Sequence, residues 1–289
     1  MQKTSLILSF LGLWLTSYLS EENQLIFGFT LIFTFGILHG ANDLVLINQL
    51  KYNKKKTFLK VITSYIMVVL ISVILFTQIP VIALTLFILV SSYHFGEQQW
   101  HKMLKKGNQP ITKIFEFNYG LLVLLLLFYF NKNEVIDIVF QITTNKITTS
   151  LIDLILIVAS VLLLLNSYLL SKHSKKFRKS IVEQLFYLIL LCVIFKASSL
   201  IWGFTIYFIF WHSIPSLNDQ IIFLFGEFNF VNFKKYFKTA FLYWIISLFG
   251  IGVLYFISKD MLIFDALFFS FLASITFPHA IVILKMYDK

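Results

Sequence analysis

The stretch TFGILHGANDLVLI, residues 34–47, places a histidine and an aspartate inside an otherwise apolar run. His39 and Asp43 are four residues apart, a spacing that puts two side chains on one face of a helix. An ionisable side chain is costly in hydrocarbon, so it usually faces the interior of a helix bundle and serves a function. The stretch therefore predicts a membrane helix that contributes to a polar site.

The composition of the whole chain is that of a polytopic membrane protein. Of its 289 residues, 58% are hydrophobic and 13% are charged, whereas soluble domains average about 45–50% apolar and about 25% charged residues. The formal net charge of +10 is expected to mark cytoplasmic loops, where Lys and Arg concentrate, and no nucleic-acid partner is expected. The first apolar run lacks a small-residue cleavage site, so we interpret it as a retained helix.

Ten stretches are apolar and about long enough to cross a bilayer, which takes roughly 20 residues each. The predicted spans, numbered one to ten, are residues 5–20, 25–47, 61–78, 80–100, 114–130, 151–171, 181–197, 200–224, 239–257 and 262–285. The segments after the even-numbered spans are rich in Lys and the others are poor in it. By the positive-inside rule, this alternation favours ten helices with both termini in the cytoplasm.

The predicted fold is therefore an all-α, polytopic membrane helical bundle. We expect one integral-membrane domain over residues 1–289, embedded in the lipid bilayer of the inner (cytoplasmic) cell membrane. The long outer segment, residues 131–150, has Ile and Val at spacings that suit a short interfacial helix.

Four of the six histidines are predicted at one depth in the membrane. His39, His94, His212 and His279 lie on spans two, four, eight and ten, about 12 to 17 residues from their outer ends. At about 1.5 Å per residue, their depths agree within roughly 8 Å. Neutral imidazole suits iron, copper, zinc and nickel, so this layer predicts a metal site. Hydrogen bonds to neighbouring helices, or a haem between two histidine pairs, are the alternatives.

Three polar residues lie three or four positions after a predicted ligand and so share its helix face; they are Asp43, Glu97 and Ser216. Metal-bound histidines usually donate their other ring N–H to such a neighbour, so we expect these residues to orient the imidazoles. Pro215 and Pro278 each lie within three residues of a predicted ligand and are expected to open the helix backbone there.

The predicted site is surrounded by aromatic residues and glycines. Phe35, Phe208 and Trp211 are candidates to line the binding site of a long apolar substrate, although packing against lipid explains most of the 34 Phe in the chain. Gly40 and Gly96 lack side chains and would let a helix or a bulky ligand approach closely.

Together, four segments resemble the Brp/Blh family of membrane β-carotene 15,15′-dioxygenases: HGANDL at His39, SYHFGEQQW at His94, FWHSIPS at His212 and FPHAIVI at His279. The resemblance covers nearly the whole chain. It implies an Fe(2+)-dependent enzyme that uses O₂ to split β-carotene, or a related carotenoid, at its central double bond. The products would be two molecules of retinal, which a microbial rhodopsin would receive as chromophore.

The same resemblance implies that His39, His94 and His212 bind the iron and that no other side chain is catalytic. The chain departs from the family pattern at Ser216, where many members have a second histidine one turn after the third motif. His279 would then complete the set of four ligands.

Two other classes of function remain open from the sequence. A transporter or proton-coupled carrier would use the intramembrane His and Asp residues as a relay and would show inverted repeats, of which no convincing example is evident. A structural or assembly subunit would leave the intramembrane polar residues unexplained.

The ten-helix topology makes a direct prediction for reporter fusions. Because the Lys-rich segments are expected inside, fusions should report cytoplasm at Lys54, Lys105, Lys175 and Lys235, and the outside at Asn133 and Lys259. The measurement is paired alkaline-phosphatase and fluorescent-protein activity at each position. Two or more reversed signals would contradict the topology and, with it, the common depth of the histidines.

Overall fold

The structure is a computed structural model that describes residues 2–50, 55–104, 110–258 and 264–287. Every regular element within these ranges is a helix, so the all-α prediction is confirmed for them. The helices are α1 (Gln2–Thr16), α2 (Glu21–Leu31), a π-helix (Ile32–Gly36), α3 (Ile37–Gly40), α4 (Asp43–Gln49), α5 (Lys55–Gln78), α6 (Pro80–Leu104), α7 (Pro110–Phe130), α8 (Lys132–Thr143), α9 (Thr149–His173), α10 (Lys175–Ala197), α11 (Leu200–Tyr207), a second π-helix (Phe208–Ser213), α12 (Ile214–Phe225), α13 (Phe230–Ser258) and α14 (Phe264–Tyr287).

Among the described residues, eight helical stretches are long and apolar enough to cross a membrane. They match all the predicted spans except the first and the third. The first is a helix of only 15 residues, and the third is apolar over the shorter stretch Ile62–Gln78. These apolar helices are compatible with a multi-pass membrane protein. The count of ten spans and the cytoplasmic termini stay predictions, and the fusion positions Lys54, Lys105 and Lys259 lie outside the described residues.

The segment between the fifth and sixth predicted spans contains α8, where the sequence predicts a short helix. α9 then begins at a capped end, because the side chain of Thr148 accepts a hydrogen bond from the backbone N–H of Leu151.

The chain divides into two compact units. Unit 1 comprises Met1–Leu31, Ile88–Asp137 and Asn145–His212, and unit 2 comprises Ile32–Phe87, Ile138–Thr144 and Ser213–Lys289. The single integral-membrane domain over residues 1–289 stays a prediction.

In unit 1, α6 and α7 approach each other most closely at two glycines. A Cβ atom at Gly96 would lie 1.7 Å from the carbonyl oxygen of Glu116, and one at Gly120 would lie 1.9 Å from that of Ser92. No side chain fits at either position, so the two backbones are in direct contact. The sequence indicated a close approach at Gly96, but its counterpart on α7 is visible only in the folded chain.

In unit 2, the opening stretch packs into two hydrophobic clusters. Leu38 joins Leu217, Ile221, Tyr236 and Ala240. In a second cluster, Leu46 and Ile47 of α4 pack against Val282 and Ile283 of α14. Residues 34–47 therefore pack against α12, α13 and α14.

The predicted span over residues 25–47 is helical but interrupted. A π-helix precedes the short α3, and α4 starts only after a turn at Ala41 and Asn42. The buried Asn42 side chain donates to the backbone carbonyl of Tyr236 at 3.0 Å. This bond connects the turn at Ala41 and Asn42 to α13.

The glycine contact between α6 and α7 predicts a strong effect of one methyl group. Gly96→Ala and Gly120→Ala should lower the melting temperature in detergent and the amount of folded protein, because overpacking costs about 1–3 kcal/mol. Gly250→Ala is the matched control, since a Cβ there meets no atom within 4 Å and alanine favours a helix. Equal melting temperatures for Gly96→Ala and Gly250→Ala would contradict the close contact.

Candidate metal centre

All four histidines singled out by the sequence are buried, with 1–4% of their surfaces exposed. Each unit contains one pair of them. In unit 2, the rings of His39 and His279 lie with their centroids 4.8 Å apart and their planes at 90°. In unit 1, the rings of His94 and His212 lie 4.8 Å apart at 75°. The remaining two histidines are more accessible, because His101 is half-buried and His173 is exposed.

The unit 2 pair is oriented by acceptors on the Nδ1 atoms. His279 Nδ1 lies 2.8 Å from Asp43 Oδ1, and His39 Nδ1 contacts the carbonyl oxygen of Gly36. A carbonyl oxygen and a carboxylate accept but do not donate, so in the neutral form of each ring Nδ1 has the proton and Nε2 has the lone pair. Nε2 is therefore the ring nitrogen through which both imidazoles can bind a metal.

Asp43 is held from a second side. The hydroxyl of Tyr65 donates to Asp43 Oδ2 at 2.9 Å, so both oxygens of this buried carboxylate accept hydrogen bonds. The sequence left open whether Asp43 orients its own helix's histidine or a neighbour's. The structure pairs it with His279 on α14, since His39 on the preceding turn is bonded to Gly36 instead.

The backbone of His39 is bonded to a buried polar network in unit 2. The carbonyl oxygen of His39 accepts from Gln220 Nε2 at 2.8 Å. Gln220 also donates to Ser216 Oγ at 3.1 Å, and its Oε1 accepts from the Tyr236 hydroxyl at 2.7 Å. Ser216 is thus placed beside Gln220, where it accepts from the amide, and its predicted effect on an imidazole stays a prediction.

The unit 1 pair is framed by α6 and by the second π-helix, which contains His212. The carbonyl oxygen of His212 accepts from Gln98 Nε2 at 2.8 Å. The ring of Phe95 meets the His212 ring edge to face at 4.7 Å, and Phe208 stacks on it at 5.5 Å and 20°. π-helices are rare in proteins, and those that occur are often found at functional sites. This π-helix ends at Ser213, two residues before Pro215, where the sequence predicted an opening of the helix backbone.

Glu97 and Trp211, the other predicted site residues discussed in unit 1, each make a side-chain hydrogen bond. Glu97 is buried, and Oε1 accepts from the Tyr93 hydroxyl at 3.2 Å. Trp211 donates from Nε1 to Ser9 Oγ at 2.7 Å and packs on Tyr187 with ring centroids 4.9 Å apart. The orienting role of Glu97 and the substrate contact of Trp211 stay predictions.

In unit 2, Phe35 is 41% exposed on the first π-helix. Its substrate contact also stays a prediction. Gly40 lies against His279, because a Cβ there would be 3.6 Å from Nδ1, which is an ordinary contact distance.

Sequence reasoning missed two kinds of polar residue near the histidines. Gln98 lies four residues after His94 and could have been found by the helical spacing that singled out Glu97. Tyr65 lies on α5, 22 residues from Asp43, and no local spacing connects them.

The donor chemistry fits a metal. Buried imidazole nitrogens compatible with a metal site are offered by His39 and His279 in unit 2 and by His212 in unit 1. These are neutral nitrogen ligands, which suit iron and other late first-row metals. Metal-binding histidines usually donate their second ring N–H to a carboxylate or a carbonyl, and His279 and His39 do so to Asp43 and Gly36.

In the described residues, the regular elements are all helices, and several are apolar and compatible with a multi-pass membrane protein. The buried imidazoles are compatible with a metal site. The class is therefore that of helical membrane proteins with a candidate metal centre. The family model described as Beta-carotene 15,15'-dioxygenase matches residues 30–287, and the chain belongs to this family. The resemblance noted in the four histidine segments is thereby confirmed. The family indicates β-carotene dioxygenase activity and implies a carotenoid substrate. No curated protein and no solved structure matches the chain.

The contact between Asp43 and His279 predicts that a substitution at Asp43 weakens metal binding. Asp43→Asn keeps one acceptor oxygen but loses the negative charge that faces the His279 imidazole. Loss of such a partner typically costs about 10–100-fold in metal affinity or activity. We expect a reduction of that size in metal bound per chain at limiting metal, measured on purified protein alongside its membrane level.

Asp153→Asn is the control for Asp43→Asn, since Asp153 pairs with Lys132 and its side chain is 40% exposed. If Asp43→Asn binds metal as tightly as Asp153→Asn does, Asp43 serves only helix packing.

Proposed function

We propose that the chain is an iron-dependent dioxygenase of the inner cell membrane that cleaves β-carotene at its 15,15′ double bond. One molecule of O₂ is consumed, and each carbon of the cleaved bond receives one oxygen atom, so the products are two molecules of retinal. The proposed ligands of the Fe(2+) ion are His39, His94, His212 and His279. A microbial rhodopsin is the proposed recipient of the retinal.

The observation that supports the proposal best is that the four histidines are buried and paired in a chain that belongs to this family. All four are buried and come as two ring pairs. Burial of ionisable groups among apolar helices is costly and usually marks function. The family match covers the segments that contain all four, and neutral imidazole is a suitable ligand for Fe(2+).

The chain's own residues would prepare this site before any reaction. Asp43 and the Gly36 carbonyl would hold the protons of His279 and His39 on Nδ1, which would leave Nε2 of each ring as the atom that holds the metal. Phe95 and Phe208 cover the His212 ring with apolar surface, which keeps water away. Bound Fe(2+) supplies the redox chemistry with O₂ that no amino-acid side chain can provide. No side chain is required as a general acid or base.

The apolar surroundings suit the proposed substrate. β-Carotene has no polar group, so it partitions into hydrocarbon and would reach the enzyme from within the bilayer. Specificity for the central double bond must then come from the shape of an apolar binding site, and Phe35, Phe208 and Trp211 are the proposed lining residues.

The test uses cells that make β-carotene and express the chain. Wild type should contain about one iron per purified chain and should yield retinal, since four imidazoles form a full donor set. His39→Ala, His94→Ala, His212→Ala and His279→Ala should each lose the iron and the retinal together. His173→Ala is the matched control, because that side chain is exposed at the end of α9.

Three outcomes would contradict the proposal. Wild-type protein that lacks iron, with its histidine variants unchanged, would favour a carrier. Longer apocarotenals in place of retinal would place the cleaved bond elsewhere. With ¹⁸O₂, and with the aldehydes trapped as alcohols before exchange with water, both retinal molecules should contain the label. One labelled product of the two would exclude a dioxygenase.

A further inference from the structure

Each histidine pair has one member whose backbone, rather than its ring, is bonded to a buried glutamine. In unit 2, Gln220 donates to the carbonyl oxygen of His39. In unit 1, Gln98 donates to the carbonyl oxygen of His212. Both bonds are 2.8 Å long, and both connect residues far apart in the sequence, by 181 and 114 positions. The same chemical contact therefore occurs once in each unit.

The two carbonyls lie where the α-helix is irregular. His39 is in the four-residue α3, just before the turn at Ala41 and Asn42. His212 is in the second π-helix. Such irregularities disturb the regular pairing of N–H and C=O groups, and a buried carbonyl without a donor costs about 1–3 kcal/mol. The amide of a glutamine can supply that donor from another helix.

The amide of Gln220 is fixed in direction by its own partners. Its two N–H groups donate to the His39 carbonyl and to Ser216 Oγ, while Oε1 accepts from Tyr236. Gln220, Ser216 and Tyr236 are fully buried, each with 0% exposure. An amide with both N–H groups and its oxygen bonded cannot rotate without loss of a buried hydrogen bond, so the His39 carbonyl is held in place.

Gln98 connects the two histidines of unit 1 directly. It lies four residues after His94 on α6, so both share one helix face, and its amide reaches the backbone of His212. The glutamine thus ties the helix of one imidazole to the backbone of the other. Because the Cα of His212 moves with its carbonyl, this bond limits how far the backbones of His94 and His212 can move apart.

We infer that Gln98 and Gln220 are positioning residues for the metal centre, which hold the backbone carbonyls of His212 and His39 and thereby set where the imidazoles point. The inference rests on the proposed function, because it treats these histidines as metal ligands. A constellation of ligands needs its geometry held within about 0.5 Å by residues around it. Neither glutamine needs to touch the metal or the substrate.

The experiment measures Co(2+) binding to metal-free purified protein in detergent, by titration of the cobalt absorption bands. Gln98→Met and Gln220→Met keep a similar side-chain length and remove the amide. Each should weaken cobalt binding about 10-fold or more, as typical for residues that orient ligands, and should alter the band positions, which report ligand geometry. The melting temperature of the metal-free protein is recorded for every variant.

Gln24→Met is the matched control. Gln24 is a buried glutamine whose amide bonds the Leu19 carbonyl and the Ser199 N–H, away from the histidines. It should lower the melting temperature about as much as the other two variants and leave cobalt affinity and spectrum as in wild type. Cobalt affinities of Gln98→Met and Gln220→Met equal to that of Gln24→Met would overturn the inference.

Tyr236→Phe decides the case if the methionine variants at Gln98 and Gln220 fail to accumulate. It removes the hydroxyl that donates to Gln220 Oε1 at 2.7 Å and that also lies 3.1 Å from the His39 carbonyl oxygen, and it keeps the ring, so it should weaken cobalt binding in the same direction by a smaller factor. Unchanged affinity in Tyr236→Phe would then overturn the inference. Wild-type protein that binds no cobalt or iron would instead contradict the proposed function, so the two failures are distinguishable.

Discussion

The buried contact between Asp43 and His279 is the constraint on which unit 2 depends. A carboxylate surrounded by apolar helices is tolerated only with donors on its oxygens, and here an imidazole and a tyrosine hydroxyl supply them. The contact joins α4 to α14 and, through Tyr65, to α5. Removal of one partner from a buried pair typically costs about 3–5 kcal/mol. The same contact fixes the tautomer of His279, so fold and site share one requirement.

Irregular backbone is the second feature that joins the fold to the site. Regular α-helices satisfy their own hydrogen bonds, which is why they suit hydrocarbon. This chain interrupts them at His39 and at His212 and bonds the carbonyls there to glutamine side chains. In unit 2 the amide of Gln220 has all its polar groups bonded, and the apolar clusters around Leu38 and Leu46 lie in the same unit. A polar side chain from another helix can thus bond an irregular stretch inside an apolar protein.

The same arrangement suits a carotenoid substrate and an oxidative reaction. A polyene offers no group for a hydrogen bond, so recognition must come from apolar shape, while reactivity must come from a metal. Phe95 and Phe208 against His212 show how aromatic surface and a buried imidazole can occupy one place. In unit 2, the polar network of Gln220, Ser216 and Tyr236 bonds the backbone of His39.

The sequence by itself determined the helical class, the approximate ends of most helices and the four histidines that are buried, together with their neighbour Asp43. These follow from local properties, namely apolar length and helical spacing, which place Asp43 or Gln98 on a face regardless of the rest of the chain.

Only the tertiary structure decided which partner each polar group has. Asp43 is bonded to a histidine 236 positions away, although His39 lies one turn before it, because the Gly36 carbonyl occupies the Nδ1 atom of His39. Gly120 faces Gly96 only when α6 and α7 are packed. The turn at Asn42 and the second π-helix at His212 are likewise bonded to distant helices, namely α13 and α6. Spacing along a chain limits which side chains can share a face, but contacts between helices depend on how the whole chain packs.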